Sequence, residues 1–263
     1  MSAPLPAVVS HEEIMRGIVP VFLVAHAMYW FFAFICPYIF PVYNTLDSGK
    51  QSYWAASMVS SVIPTVIAYK TMSIGWEDEK YFFLDYDHLW TDDRAVECCY
   101  LVCGYFLSDL AIGIYYHDKW PGHIANYLHH TAGIYAFVHL VKWGMGHGMA
   151  VTTFLLESTN LFNNFRWFLD TAKMKESHST LYMANGILFT LSFFIVRIVS
   201  YTCAGYHYLW VLRDQFYSLH RDYVVLVLST YCIALGLQYM WFYKLSTGLY
   251  KILTKSKGKT KAV

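Results

Sequence analysis

Five residues that hydrocarbon tolerates poorly, Asp109, His129, His130, Glu157 and Arg197, lie inside long apolar stretches of this chain. At the centre of a spanning helix an ionisable group costs about 2.5–3.5 kcal/mol on insertion scales, against about 0.3–0.6 kcal/mol gained per large apolar residue. Such groups persist only if neutral, paired or turned to a polar cavity, so each marks a candidate site. Spacing tests whether they converge. Thr153, Glu157, Asn160 and Asn164 recur at steps of four, three and four, which is one face of a helix. Tyr105, Asp109 and Tyr116 share a face of a second helix, and Arg197 shares one with Tyr201. His123 and His130 stack seven apart on a third, with His129 about 100° round from His130. Four polar stripes in one bundle predict a common interior cavity.

Other readings of the same residues stand beside that one. Asp109 and Arg197 can pair as structural glue between helices, and Asn163, Asn164 and Arg166 can serve as interfacial caps and anchors. Twelve histidines raise a metal or haem reading. Only the fourth apolar segment is rich in them (His123, His129, His130, His139), adjacent histidines point apart, and zinc needs further ligands at fixed spacing. No metal site and no cofactor are expected.

The elements that position these residues follow from composition. Of 263 residues, 57% are hydrophobic and 14% charged, where a soluble domain carries about 25% charge. So little charge cannot cover a surface in water. The expected fold is all-α, a polytopic transmembrane helical bundle of about seven spans. A span needs about 20 mostly apolar residues, and the candidates are Ile18–Phe40, Trp54–Ile74, Glu97–Tyr116, His123–Trp143, Met149–Leu169, Leu181–Cys203 and Tyr223–Leu245. The fourth and fifth carry the histidines, the glutamate and the asparagines. Residues 1–52 are expected to form an N-terminal segment with the first span, 53–251 the main membrane domain, and 252–263 a basic tail. The first apolar run is too long for a cleavable signal and reads as a signal anchor. The acidic connection Gly75–Val96 is expected to hold a short aromatic interfacial helix around Tyr81–Trp90. The six cysteines fall in or beside apolar runs without CxxC spacing and read as buried small apolar residues, or as palmitoylation sites near the membrane edge.

Lysine and arginine placement sets the expected orientation. Lys255, Lys257, Lys259 and Lys261 put the C-terminal tail in the cytoplasm, and seven spans bring Lys50, Lys119, Arg166, Lys173 and Lys175 to that side. The acidic loop then faces the other way. The final Lys259-Thr260-Lys261-Ala262-Val263 resembles a dilysine retrieval signal of the endoplasmic reticulum, and a plain topology anchor reads the same way. No basic face outside the tail suits nucleic acid, so the expected partners are membrane lipid or an acyl chain, with room for a homodimer.

His129-His130-Thr131 followed by Leu156-Glu157-Ser158-Thr159-Asn160 resembles the TLC-domain family, which includes ceramide synthases, translocon-associated membrane proteins and smaller lipid-homeostasis proteins. Tyr105-Phe106-Leu107-Ser108-Asp109-Leu110, Asn164-Phe165-Arg166-Trp167-Phe168, Asn185-Gly186-Ile187-Leu188 and Phe193-Phe194-Ile195-Val196-Arg197-Ile198 look most like its small TLC domain-containing protein four branch. The resemblance spans roughly Tyr53 to Lys251. In ceramide synthases the paired histidines precede an Asp-x-x-Asp, and the first histidine accepts the acyl group from acyl-CoA. By resemblance His129 is the nucleophile, His130 its neighbour, and Glu157 stands where the first aspartate belongs, with Asn160 in the second place. The catalytic set implied is therefore His129, His130 and Glu157, with acyl-CoA as co-substrate. Asp109, Asn160, Asn164 and Arg197 would bind substrate or hold the polar cavity together. A neutral imidazole attacking a thioester gives an acyl-imidazole that can pass the acyl group to an amine, with the carboxylate orienting the ring. Asn160 cannot act as a base, and glutamate is one methylene longer than aspartate. Lipid binding or sensing without chemistry therefore fits beside N-acyl transfer.

Overall fold

In a computed structural model describing residues 8–78, 86–120 and 123–260, the chain is helical nearly throughout, with no β-strand among those residues. The helices are α1 (His11–Ile39), α2 (Ser48–Glu77), α3 (Asp93–Tyr115), α4 (His123–Trp143), α5 (His147–Phe154), α6 (Asn160–Thr171), α7 (Ser179–Ser192), α8 (Tyr201–Tyr206), α9 (Arg213–Ser218) and α10 (Arg221–Thr260). A 3₁₀ turn, Leu155–Thr159, fuses α5 to α6, and a π-helical stretch, Phe193–Ser200, fuses α7 to α8. A second π stretch, His207–Val211, carries that rod onward. Seven long rods result, one at each expected span.

Four rods, His11–Ile39, Asp93–Tyr115, Ser179–Val211 and Arg221–Lys251, are long and apolar enough to cross a membrane. The other three, α2, α4 and α5–α6, carry most of the serines, histidines and asparagines that form the interior.

Local sequence explains where the rods begin. Ser10 and Glu13 cap each other's backbone at the start of α1. Asp47 accepts the Lys50 N–H ahead of α2, and Asp92 accepts the Arg94 N–H ahead of α3. On α1 the buried residues Ile14, Ile18, Ala25, Tyr29 and Cys36 recur at steps of four and seven, a single stripe. Leu23, Val24, Trp30, Phe31 and Phe34 stay exposed, as expected of a helix with lipid on its far side.

Packing arranges α2, α3, α4, α10, α7 and α6 as a closed ring, each against the next, with α1 outside against α2 and α3. Close approach of α1 to α3 depends on Gly104, where a Cβ would stand 2.8 Å from the Phe22 backbone nitrogen. The polar residues face the interior of the ring.

Two expectations change. The interfacial helix at Tyr81–Trp90 falls partly on residues 81–85, outside the described residues, and Tyr86–Asp92 forms a turn instead. There the Asp87 carboxylate accepts the N–H groups of Leu89 and Trp90, a local bond that competes with helix formation. His88 is buried beneath, bonded through Nδ1 to the Tyr223 hydroxyl and through Nε2 to the Tyr208 carbonyl. Among the cysteines Cys36, Cys98, Cys99 and Cys103 are buried, whereas Cys203 and Cys232 are exposed on outward faces.

Candidate functional site

The ring encloses a polar chamber of about 350 Å³. Each expected site residue lines it: Asp109 from α3, His129 and His130 from α4, Glu157 from the 3₁₀ turn, Asn160 and Asn164 from α6, and Arg197 from the π stretch. Four separate rods thus contribute to one hollow.

Within the chamber the ionisable groups sort into two clusters. His130 Nδ1 lies 3.5 Å from Asp109 Oδ2, and its ring stacks on Phe106 at a centroid distance of 4.3 Å. Glu157 belongs to a larger network. Its Oε1 is 3.5 Å from His129 Nε2 and 3.9 Å from Arg197 Nη2, and its Oε2 accepts from Asn160 Nδ2 at 2.7 Å. Arg197 then donates through Nη2 to Asn160 Oδ1, through Nε to Thr159 Oγ1, and through Nη1 to Gln238 Oε1, at 2.9, 2.7 and 3.1 Å. The cation is only 4% exposed and Glu157 only 5%, so each neutralises the other away from water.

The structure therefore assigns Arg197 to Glu157, and Asp109 to His130 rather than to Arg197. Asn164 is buried, not an interfacial cap. Its Nδ2 faces the Ser57 carbonyl and the hydroxyls of Ser60 and Ser61, at 3.1, 2.7 and 3.0 Å, which ties α6 to α2. Arg166 lines the rim of the chamber and donates from Nε to the Tyr182 hydroxyl. Lys244, exposed on α10, joins it there.

A second, narrower space of about 70 Å³ lies beside the chamber. Its walls are apolar: Phe106, Ala132, Gly133, Ala136, Phe137, Leu140, Met149 and Phe154 on one side, Leu226, Val227 and Leu237 on the other. His129 and Glu157 line both spaces and so stand at their junction. Along α10 the slot runs from Leu226 to Gln238, roughly 18 Å at the helical rise. Along α4 it runs from His129 to Leu140, a similar length.

The backbone departs from α geometry where the site needs it. Placing Arg197 in a π turn and Glu157 in a 3₁₀ turn changes which residues face inward, so simple four-and-three spacing no longer holds across either. Tyr201, expected on the face of Arg197, lines the slot while Arg197 lines the chamber. Thr153 likewise lines the slot and Asn164 the chamber, so one sequence stripe serves both spaces.

Sequence reasoning missed Thr159 and Gln238 as partners of Arg197. Gln238 carried a usable signal, being the one amide, and with no charged residue or histidine beside it, in the apolar segment Tyr223–Met240. Outside the bundle interior, Arg94 gathers Glu77, Asp78 and Asp92 at the opposite end of the protein from Arg166. Burial tends to raise the Asp92 carboxyl, but hydrogen bonds from Arg94 outweigh it and hold the group below its usual range.

Comparison with known proteins gives consistent findings. The family model described as TLC domain matches residues 50–247. A human protein, TLC domain-containing protein 4, is 30% identical over 86% of this chain and 83% of its own length. The zebrafish (Danio rerio) TLC domain-containing protein 4-B is 27% identical over 82% and 81%, and its Xenopus laevis counterpart 29% identical over 82% of each. No solved structure matches the chain significantly.

Proposed function

The chain belongs to the TLC domain family of membrane proteins, and from that premise we propose that it handles a lipid acyl chain, with the head of the lipid in the polar chamber and the tail in the apolar slot. One observation carries this reading: two spaces of opposite character meet at His129 and Glu157. An amphipathic molecule fits such a pair, since it needs polar partners at one end and dry walls at the other. The slot is narrow when empty, and Met149, Leu140 and Leu237 line it as flexible side chains that can give way to a chain.

Orientation and compartment belong to the same proposal. The chamber rim carries Arg166 and Lys244, and Lys119 donates to Ser48 at that end of the bundle. The opposite end carries Glu77, Asp78 and Asp92 around Arg94. Positive residues favour the cytoplasmic side, so the chamber opens towards the cytoplasm, the side of the C-terminal tail. An endoplasmic-reticulum location rests on the dilysine pattern, whose side chains lie outside those described.

Acyl transfer is a second reading, favoured by the position of His129 at the junction. Glu157 faces Nε2, which favours the tautomer with its N–H there and its lone pair on Nδ1. Nδ1 would attack the thioester carbonyl of acyl-CoA, the carbon–sulfur bond would break, and the thiolate would leave with a proton. An amine would then displace the imidazole. Against it, Glu157 already faces Arg197 and Asn160, which occupy the oxygens a base would need. Binding without chemistry is therefore the function proposed first.

Intact-mass analysis of the purified protein with and without acyl-CoA separates the two readings. Binding alone predicts no covalent adduct, together with co-purified lipid that is lost when Ala136→Trp fills the slot. An acyl adduct that disappears in His129→Ala would establish transfer instead. Undiminished lipid in Ala136→Trp would remove the slot from the account.

A further inference from the structure

Gln238 presents a buried donor that nothing in the protein accepts. The residue is 0% exposed, near the middle of α10. Its Oε1 accepts from Arg197 Nη1 at 3.1 Å, and that bond fixes the amide: turned over, it would set N–H groups against a guanidinium that can only donate. The Nε2 is consequently directed away from Arg197, and it has no hydrogen-bond partner. Gln238 lines the apolar slot and not the chamber, beside the junction formed by His129 and Glu157. A buried amide N–H left unmatched is destabilising, so this geometry calls for an acceptor arriving from the slot.

Around Nε2 the slot supplies no such atom of its own. No protein atom accepts from Nε2, and Leu237 and Ala234, the neighbours of Gln238 on the same helix that also line the slot, are apolar. A molecule whose tail follows the slot and whose head enters the chamber must pass its linkage through this point. We infer that Gln238 Nε2 donates to the carbonyl oxygen of the ligand's acyl linkage, so that the protein selects lipids joined through a carbonyl (ester, amide or thioester) over chains joined through an ether. This deepens the proposed function and rests on it.

The design has two consequences. Arg197 holds the amide oxygen, so the donor is oriented before any ligand arrives and loses little freedom on binding. The carbonyl carbon also comes to rest next to His129, whether or not chemistry follows. Gln238 is thus a positioning residue, and its contribution shows as selectivity rather than as overall lipid content.

The test pairs a change in the ligand with a change in the protein. Binding of a diacyl phosphatidylcholine and of its di-O-alkyl ether counterpart, equal in chain length, is measured by native mass spectrometry on the full-length protein in detergent. The ether lacks only the carbonyls. Wild type should favour the diacyl lipid by about tenfold, the effect of one buried hydrogen bond. Gln238→Glu keeps an oxygen for Arg197 and removes the N–H donor, so it should show no more than about twofold preference for the diacyl lipid. Gln238→Leu should behave alike if it folds, and the glutamate variant decides if it does not. Equal binding of both lipids to wild type, or a preference that survives in Gln238→Glu, would overturn the inference while leaving chain binding intact. Failure of both lipids to bind wild type would instead overturn chain binding, and the carbonyl contact with it.

Discussion

Replacing Arg197 by methionine removes the guanidinium beside Glu157 and leaves a carboxylate that is 5% exposed without it. At 3.9 Å and an effective dielectric of 20, the direct attraction is about 4 kcal/mol. Arg197 also donates to Thr159, Asn160 and Gln238, whose oxygens would lose a charged partner. Desolvation of the guanidinium opposes these gains, so the net loss should follow measured buried pairs, about 3–5 kcal/mol when one partner is deleted. For a chain of this size that corresponds to a fall in melting temperature of roughly 6–20 °C. Tryptophan fluorescence during thermal unfolding in detergent measures it. Glu157→Gln alone should cost a similar amount, because it strands the cation. The double variant Arg197→Met with Glu157→Gln should cost only about 1–2 kcal/mol, since no unpaired charge is left. Additive losses in the double variant would refute a mutually neutralising pair, and so would an Arg197→Met protein no less stable than one altered at exposed Arg213.

Two further outcomes follow from packing and from charge outside the bilayer. A methyl group at Gly205 would overlap the Tyr231 hydroxyl, so Gly205→Ala should cost about 1–3 kcal/mol in thermal unfolding but become nearly neutral in a Tyr231→Leu background; an equal cost in both backgrounds would contradict the contact. Because Arg94 lowers the Asp92 carboxyl in the folded protein, its contribution to stability is complete above the unfolded value, near pH 4, and is lost as pH falls through the lower folded value. A melting-temperature series from pH 6 to pH 3 should therefore drop less steeply in Asp92→Asn than in wild type, and parallel curves would exclude this role.

Much of the bundle was legible because apolar length is a local property. The rods at His11–Ile39 and Arg221–Thr260 are visible in any window of the sequence. That Asp109, His129, Glu157 and Arg197 would share one hollow was also legible, since isolated charges in hydrocarbon have few other outcomes. Which of them would pair was not. Arg197 meets Glu157 across 40 residues, and Asp109 meets His130 across 21, through a ring closure that no spacing encodes. Gln238 escaped notice because a neutral amide is a weaker signal than a charge. Of the helix expected at Tyr81–Trp90, the described part from Tyr86 is non-helical, because the bonds of Asp87 to Leu89 and Trp90 decide the backbone there, which aromatic content does not reveal.

The π stretch Phe193–Ser200 bears on how this rod tolerates deletions. A wide turn accommodates one residue more than an α-helix needs to reach the same angular position. Removing one residue between Ile198 and Ser200 would let the rod relax to ordinary winding with its flanks still near their present angular positions, whereas a deletion in the α-helical part before Phe193 would turn one flank about 100° against the other. The π stretch is thus the part of this rod that can lose a residue with its ends still in register, and a deletion there should disturb the centre of the molecule less than one among residues 181–192.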